Sequence, residues 1–200
     1  MKRIGVGLAA AAVLVVSGCG AMHPGAAIVV DGQSVSAQKV DDLAEKLCTA
    51  VTASGQSDVG GGDVRQQAAS MMLLLTATRE AADDLGIEVE PSKYALTNDD
   101  SQMLESQFPD ANTSDMEKLI KISKETSALM TAIGEEESGE SGQKAQQAGQ
   151  KYVQDYLADA DVDIDPRYGL DETNQPQDVE SLSVRVSDES DDLPSSQECD

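Results

Sequence analysis

The chain contains no Trp, a single Phe and a single His in 200 residues, and aromatics make up 2% of it. That scarcity removes the stacking platforms that single-stranded nucleic acids need, and any aromatic-anchored core. Basic residues are also few: 14 Lys and Arg stand against 37 Asp and Glu, a formal charge of −23. A surface of that sign repels phosphate and argues against a nucleic-acid partner. One His and three Cys supply few ligands for zinc and few groups poised for base catalysis at neutral pH, so no metal or other cofactor is expected. The acid pairs Asp83-Asp84, Asp99-Asp100 and Asp191-Asp192 lack the spacing of a calcium loop. No Gly-x-Ser-x-Gly elbow occurs, and Gly60-Gly61-Gly62 lacks the Lys of a phosphate loop. The balance leans away from an enzyme. What is plentiful is Ala, Gln, Asp and Glu, which reads as helix, and the length allows one modest domain with a core of Leu, Val, Ile, Ala and Met.

The start of the chain gives an address. Lys2 and Arg3 precede an uncharged run, Ile4 to Val16, too short to cross a bilayer and suited to the core of a signal peptide. The run ends in Val16-Ser17-Gly18-Cys19, which resembles the bacterial lipobox. The resemblance implies cleavage before Cys19 and diacylglyceryl modification of its thiol, a two-chain anchor to the cell membrane. Residues 1–18 are thus expected to be a lipoprotein signal peptide and 19–26 a lipidated tether. Removing residues 1–18, with two bases and no acid, leaves 12 bases against 37 acids and a charge of −25. Outside the cytoplasm thiols tend to oxidise. Two readings of the remaining cysteines stay open: a disulfide between Cys48 and Cys199, or a buried apolar Cys48 with a free Cys199.

Farther along, Ala27-Ile28-Val29-Val30 is a short β-prone run closed by the turn pair Asp31-Gly32. Ser34 or Ser36 caps a helix over 36–53, where Val40, Leu43, Ala44, Leu47, Cys48 and Val51 make one apolar stripe. Asp63, with Gln66 as its capping-box partner, is expected to open a second helix that Gly86 stops. Met71-Met72-Leu73-Leu74-Leu75 makes it the most buried of the set. Ser92 is expected to cap a third helix through Gln107, and Ser114 with Glu117 a fourth that breaks or frays at Gly134–Gly142. A fifth covers about 143–160. Val162-Asp163-Ile164-Asp165 alternates as an edge strand does, and pairing it with 27–30 would close the chain. From Asp171 onward lie ten acids and one base, so 171–200 is expected to be an acidic disordered tail.

Three segments, in order, carry a family likeness. Residues 27–36 (Ala-Ile-Val-Val-Asp-Gly-Gln-Ser-Val-Ser) resemble the opening of SurA- and PrsA-type extracytoplasmic folding factors. Ala82 to Ser92 resembles that family's helix–Gly–Ile–x–Val junction, and Asp161 to Gly169 its closing V-x-V-N-P-R-Y-G segment. Asp31 and Asp165 stand where Asn is usual, and both suit turns. The chain is most similar to SurA N-terminal-like lipoproteins of the actinobacterial type. The likeness implies a mainly α, multi-helix domain over 27–170, closed by a short two-stranded β ribbon between its N- and C-terminal segments. No parvulin isomerase domain is expected in it, since 98–160 reads as helices without His.

The function implied is a membrane-anchored, chaperone-like holdase for unfolded or extended segments of client proteins. Met71, Met72, Leu73, Met103, Leu104, Met116 and Met130 are the candidates for a peptide-binding groove, although Met at helical spacing is more often core. The alternative is an accessory or structural envelope lipoprotein with one specific protein partner. The oligomeric state is not legible in the sequence.

Overall fold

The structure, a computed structural model, describes residues 24–55, 59–108, 112–177 and 199. Cys19 and the signal segment before it lie outside the described residues, as do 178–198 of the expected tail. The described chain is mainly helical with one small antiparallel sheet. Strand β1 (Ala26–Val30) is followed by β2 (Gln33–Ser36), helices α1 (Ala37–Ala53), α2 (Gly61–Asp84), α3 (Asn98–Gln107), α4 (Thr113–Ser138) and α5 (Gln143–Asp159), and strand β3 (Val162–Ile164). Single 3-10 turns lie at Pro91–Lys93 and Pro166–Tyr168.

The sheet order is β2-β1-β3. β1 and β3 pair antiparallel, Ile28 opposite Ile164 and Val30 opposite Val162, so the N- and C-terminal segments do meet. The ribbon expected from the sequence, however, has a third strand. Asp31 and Gly32 both take left-handed backbone, φ 47° and 86°, which fits a tight two-residue hairpin turn into β2. Polar Gln33 and Ser34 hid β2 in the sequence; only its Val35 is buried. Being central, β1 is covered on both faces: Ala27, Ile28, Val29 and Val30 are all buried, which is why its sequence is a continuous apolar run.

The helix starts correct the sequence in three places. α1 begins as expected, Ser36 accepting from the Lys39 N–H. α2 is opened by Gly60 with no side-chain cap, and Asp63 lies inside its first turn. Gln66, instead of completing a box, donates from Nε2 to the Gly169 carbonyl at 2.6 Å, tying α2 to the closing turn. Ser92 caps nothing: it sits in the 3-10 turn, and α3 starts at a capping box between Thr97 and Asp100. α4 is capped by Asn112 rather than by Ser114, whose N–H the Asn112 side chain accepts.

The break expected over Gly134–Gly142 falls at its far end: α4 runs on through Gly134 to Ser138, and Gly139 and Gly142, both with positive φ (67° and 63°), separate it from α5. Gly134 and Gly149 face each other where α4 and α5 cross. A Cβ added to Gly134 would overlap the Ala145 carbonyl, and one added to Gly149 the Met130 carbonyl. The two glycines are therefore the means by which two helix backbones touch. Helix-interior glycine is disfavoured by about 1 kcal/mol, and close packing of the hairpin offsets that cost.

The core runs from β1 through α1 (Val40, Leu43), α2 (Val64, Leu73, Ala77, Ala81), α4 (Leu129, Ile133) and α5 (Val153, Leu157) to Tyr168 and Leu170. Residues 171–177, expected in the disordered tail, are ordered. Leu170 bridges Pro176, the Gln177 N–H donates to Gly169, and Asp171 accepts from Thr173 and Gln175. Among the described residues no helix is long and apolar enough to cross a membrane.

Candidate functional groove

Beyond the helix α2, an extended connector (87–90) leads to the turn at Pro91 and on to α3. It holds α3 away from α2, and a groove of about 1010 Å³ opens between α2, the connector, α3 and α4. The volume sits at the upper end of the roughly 300–1,000 Å³ typical of small-molecule sites, and suits a polypeptide segment. Its deep, buried lining is Leu47 of α1 and Leu119 of α4. Half-buried Met71, Val89 and Ile120 and exposed Met103 continue the apolar surface. Ser127, Ala128, Thr131 and Ala132 of α4 also line it; their small side chains leave the space unfilled. Met103 is 43% exposed, the one large apolar side chain so open among the described residues.

The groove is charged at its margins. Glu88 and Glu90 of the connector, Glu135 of α4, Lys93 and Lys124 contribute. Lys124 is already engaged, its Nζ 2.5 Å from Asp100 Oδ2. That contact, with the N–H and hydroxyl of Thr97, holds the Asp100 carboxyl down at about 2. The pair locks α3 onto α4 and fixes the groove's outer wall. On the other side of the connector lies a smaller groove of about 340 Å³, which shares Glu88, Val89 and Glu90. There Arg79 of α2 is paired with Glu125 of α4.

Of the seven candidate residues read from the sequence, the groove gathers Met71 and Met103. Met130 is buried, 7% exposed, and borders a separate recess of about 280 Å³ beside Leu74 and Ile122. Leu73, Leu104 and Met116 are core, 0%, 3% and 2% exposed, and are unavailable to a ligand. Met72 is half-buried and packs against the core. Sequence reasoning missed Ile120 and Val89 as lining residues. Ile120 was legible only as part of the α4 stripe, and Val89 only as part of an extended linker.

Cys48 and Cys199 are joined in a disulfide, Cα–Cα 5.0 Å, 151 residues apart in sequence. The Thr52 hydroxyl donates to the Cys199 carbonyl at 3.2 Å. The bridge adjoins Leu47, so the far end of the chain is fastened to the helix that supplies the deep lining of the groove. In the hairpin turn, Asp31 accepts from the Tyr156 hydroxyl at 2.6 Å and the Asp161 N–H at 2.9 Å. These bonds lower the Asp31 pKa, while burial and the Asp31 charge raise that of Tyr156. This is a latch between the hairpin and α5.

Among the described residues no group of three or more His, Cys, Asp or Glu is placed to hold a metal ion. Compared with family models, curated proteins and solved structures, the chain matches none.

Proposed function

We propose that the protein is a lipid-anchored extracytoplasmic binding module of the SurA N-terminal-like type that holds extended apolar segments of client polypeptides. The observation that carries this reading is the groove itself: an open apolar channel lined by half-buried Met71 and by Met103, the one exposed large apolar side chain among the described residues. Met side chains adapt to varied apolar partners, which suits a client range rather than one shape. The acidic surface keeps a loaded complex soluble. The signal run and Cys19 supply the anchor in this reading. No catalytic step is part of it.

The test is suppression of aggregation of an unfolded client by the full chain, with Met103→Gln as comparison. Delayed aggregation that M103Q weakens supports the reading; no effect at molar excess overturns it. Recovery of a single stoichiometric partner from the native envelope would favour the accessory-lipoprotein alternative. The anchor is tested separately: acyl labelling that persists in Cys19→Ser removes it.

A further inference from the structure

The connector from Ile87 to Glu90 has the make-up of an unpaired strand. Ile87 and Val89 are half-buried and Glu88 and Glu90 exposed, the alternation of an extended segment with one packed face. Glu90, next to Pro91, has polyproline-type backbone, φ −57° and ψ 132°. The Ile87 N–H is used by the Ala82 carbonyl, and the Glu90 carbonyl by the Lys93 N–H. Between them, the N–H groups of Glu88, Val89 and Glu90 and the carbonyls of Ile87, Glu88 and Val89 make no hydrogen bond to any described residue. Glu88, Val89 and Glu90 line a groove on each side, so this backbone stands clear of its neighbours. A free extended edge beside an apolar groove is the arrangement that accepts an added strand.

Charge selects what that strand carries. Glu88, Glu90 and Glu135 face the groove against Lys93 and Lys124, and Asp100 already neutralises Lys124. The unbalanced charge at the margin is therefore negative. The chain's own segment 171–200, with ten acids and one base, is repelled by it, and so is a second copy of a chain with a charge of −23.

Resting on the binding role proposed above, we infer that the occupant is an extended polypeptide segment with an apolar core flanked by Lys or Arg. It pairs its backbone with Ile87–Glu90 and sets alternate apolar side chains against Met71, Met103 and Ile120. The flanking cations meet Glu88, Glu90 and Glu135. The ligand is thus recognised by backbone shape and flanking charge, and its apolar sequence is free to vary.

Four synthetic peptides sharing one apolar core test this on the full chain by fluorescence anisotropy: Lys-flanked, Glu-flanked, and two Lys-flanked peptides with alternate core amides N-methylated, one for each edge. Exposed ion pairs at two or three positions predict a preference of about ten-fold for Lys over Glu flanks, shrinking as salt rises. In Glu88→Gln/Glu90→Gln that preference falls to about two-fold or less. N-methylation on the pairing edge weakens binding by ten-fold or more, since each methyl removes a donor. Equal binding of Lys- and Glu-flanked peptides, or indifference to N-methylation on either edge, overturns this inference and leaves the binding role standing. If neither unmethylated peptide binds, both fall.

Discussion

Two helix contacts made by the same helix, α4, differ in kind. Against α5, α4 presents Gly134, and the absence of a side chain there and at Gly149 brings backbone onto backbone. Against α2 and α3, the same helix presents Ile120, Lys124, Ala128 and Thr131, and an open channel remains. The difference does not follow hydrophobicity, since both faces carry small residues. It follows what stands opposite: a second glycine on α5, but Met71 and a connector held off by its own extended backbone on the other side. The closed face specifies the fold, and the open face is left available for a ligand.

A single methyl should separate the two faces most sharply. Gly134→Ala puts a Cβ into the Ala145 carbonyl, and no rotamer relieves a clash with backbone. The expected loss is about 3–5 kcal/mol, read by urea unfolding, with Gly149→Ala similar. A loss below about 1 kcal/mol would mean the helices are not in backbone contact.

The disulfide is the next largest effect, and it acts on the open side. Linking residues 151 apart restricts the unfolded chain. Reduction, or Cys48→Ser with Cys199→Ser, is expected to cost about 2–4 kcal/mol, the usual measured range, below the roughly 5 kcal/mol that the chain-entropy account gives for so long a loop. Thermal unfolding with and without a thiol reductant measures it, and the double variant should show no response to the reductant. If the wild type is equally indifferent, the bridge does not contribute.

Filling the groove supplies the matched opposite of Gly134→Ala. Ala128→Leu adds bulk to the same helix where it faces space. Stability should change by less than about 1 kcal/mol, because a good helix former enters an open site. Client binding should be lost. A large destabilisation would show that the channel closes in solution; unchanged binding would move the ligand elsewhere.

How legible the two faces were in the sequence follows from range. The α1 stripe from Val40 to Val51, the stop at Gly86 and the short strand at 27–30 depend on local periodicity and turn chemistry, and the structure agrees with them. The break within Gly134–Gly142 was legible but not which glycine carries it, because a lone sequence shows the poor helix propensity of Gly134 and not the glycine it meets fifteen residues later on α5. The caps at Thr97 and Asn112 were displaced by nearby serines of equal capping ability. Of the groove candidates, Leu73 and Met103 look alike in a stripe; only the tertiary position of α3 makes one core and the other exposed. The connector's open backbone has no sequence signature beyond alternation over four residues.

Acid should act on both faces in one direction. Asp100, held at about 2 on the groove side, and Asp31, lowered by Tyr156 and the Asp161 N–H in the latch, both bind protons less readily folded than unfolded. Their contribution is present above the ordinary carboxylate range near 4 and is lost as pH falls through their lowered values. The melting temperature should therefore drop below about pH 4, and Asp100→Asn should flatten the part of that drop extending towards pH 2. A profile unchanged by the substitution would show that Lys124 does not hold α3 down.

Glu80 is the smallest case and has the opposite sign. It lies on α2 near the latch, where burial, then Asp83, Asp84 and Asp31, raise its pKa. The folded state thus holds this proton more tightly than the unfolded chain does. The resulting stability is present below Glu80's ordinary range and is lost as pH rises through the raised value. At neutral pH the ionised carboxylate is a small burden, carried in a cluster of like charges. Glu80→Gln is expected to stabilise the protein by about 0.5 kcal/mol at pH 7 in low salt, and less as salt is added. The gain should disappear near pH 3, where the native carboxyl is already neutral. A gain that persists there would come from packing rather than charge, and the crowding of acids around the latch would then have no energetic consequence.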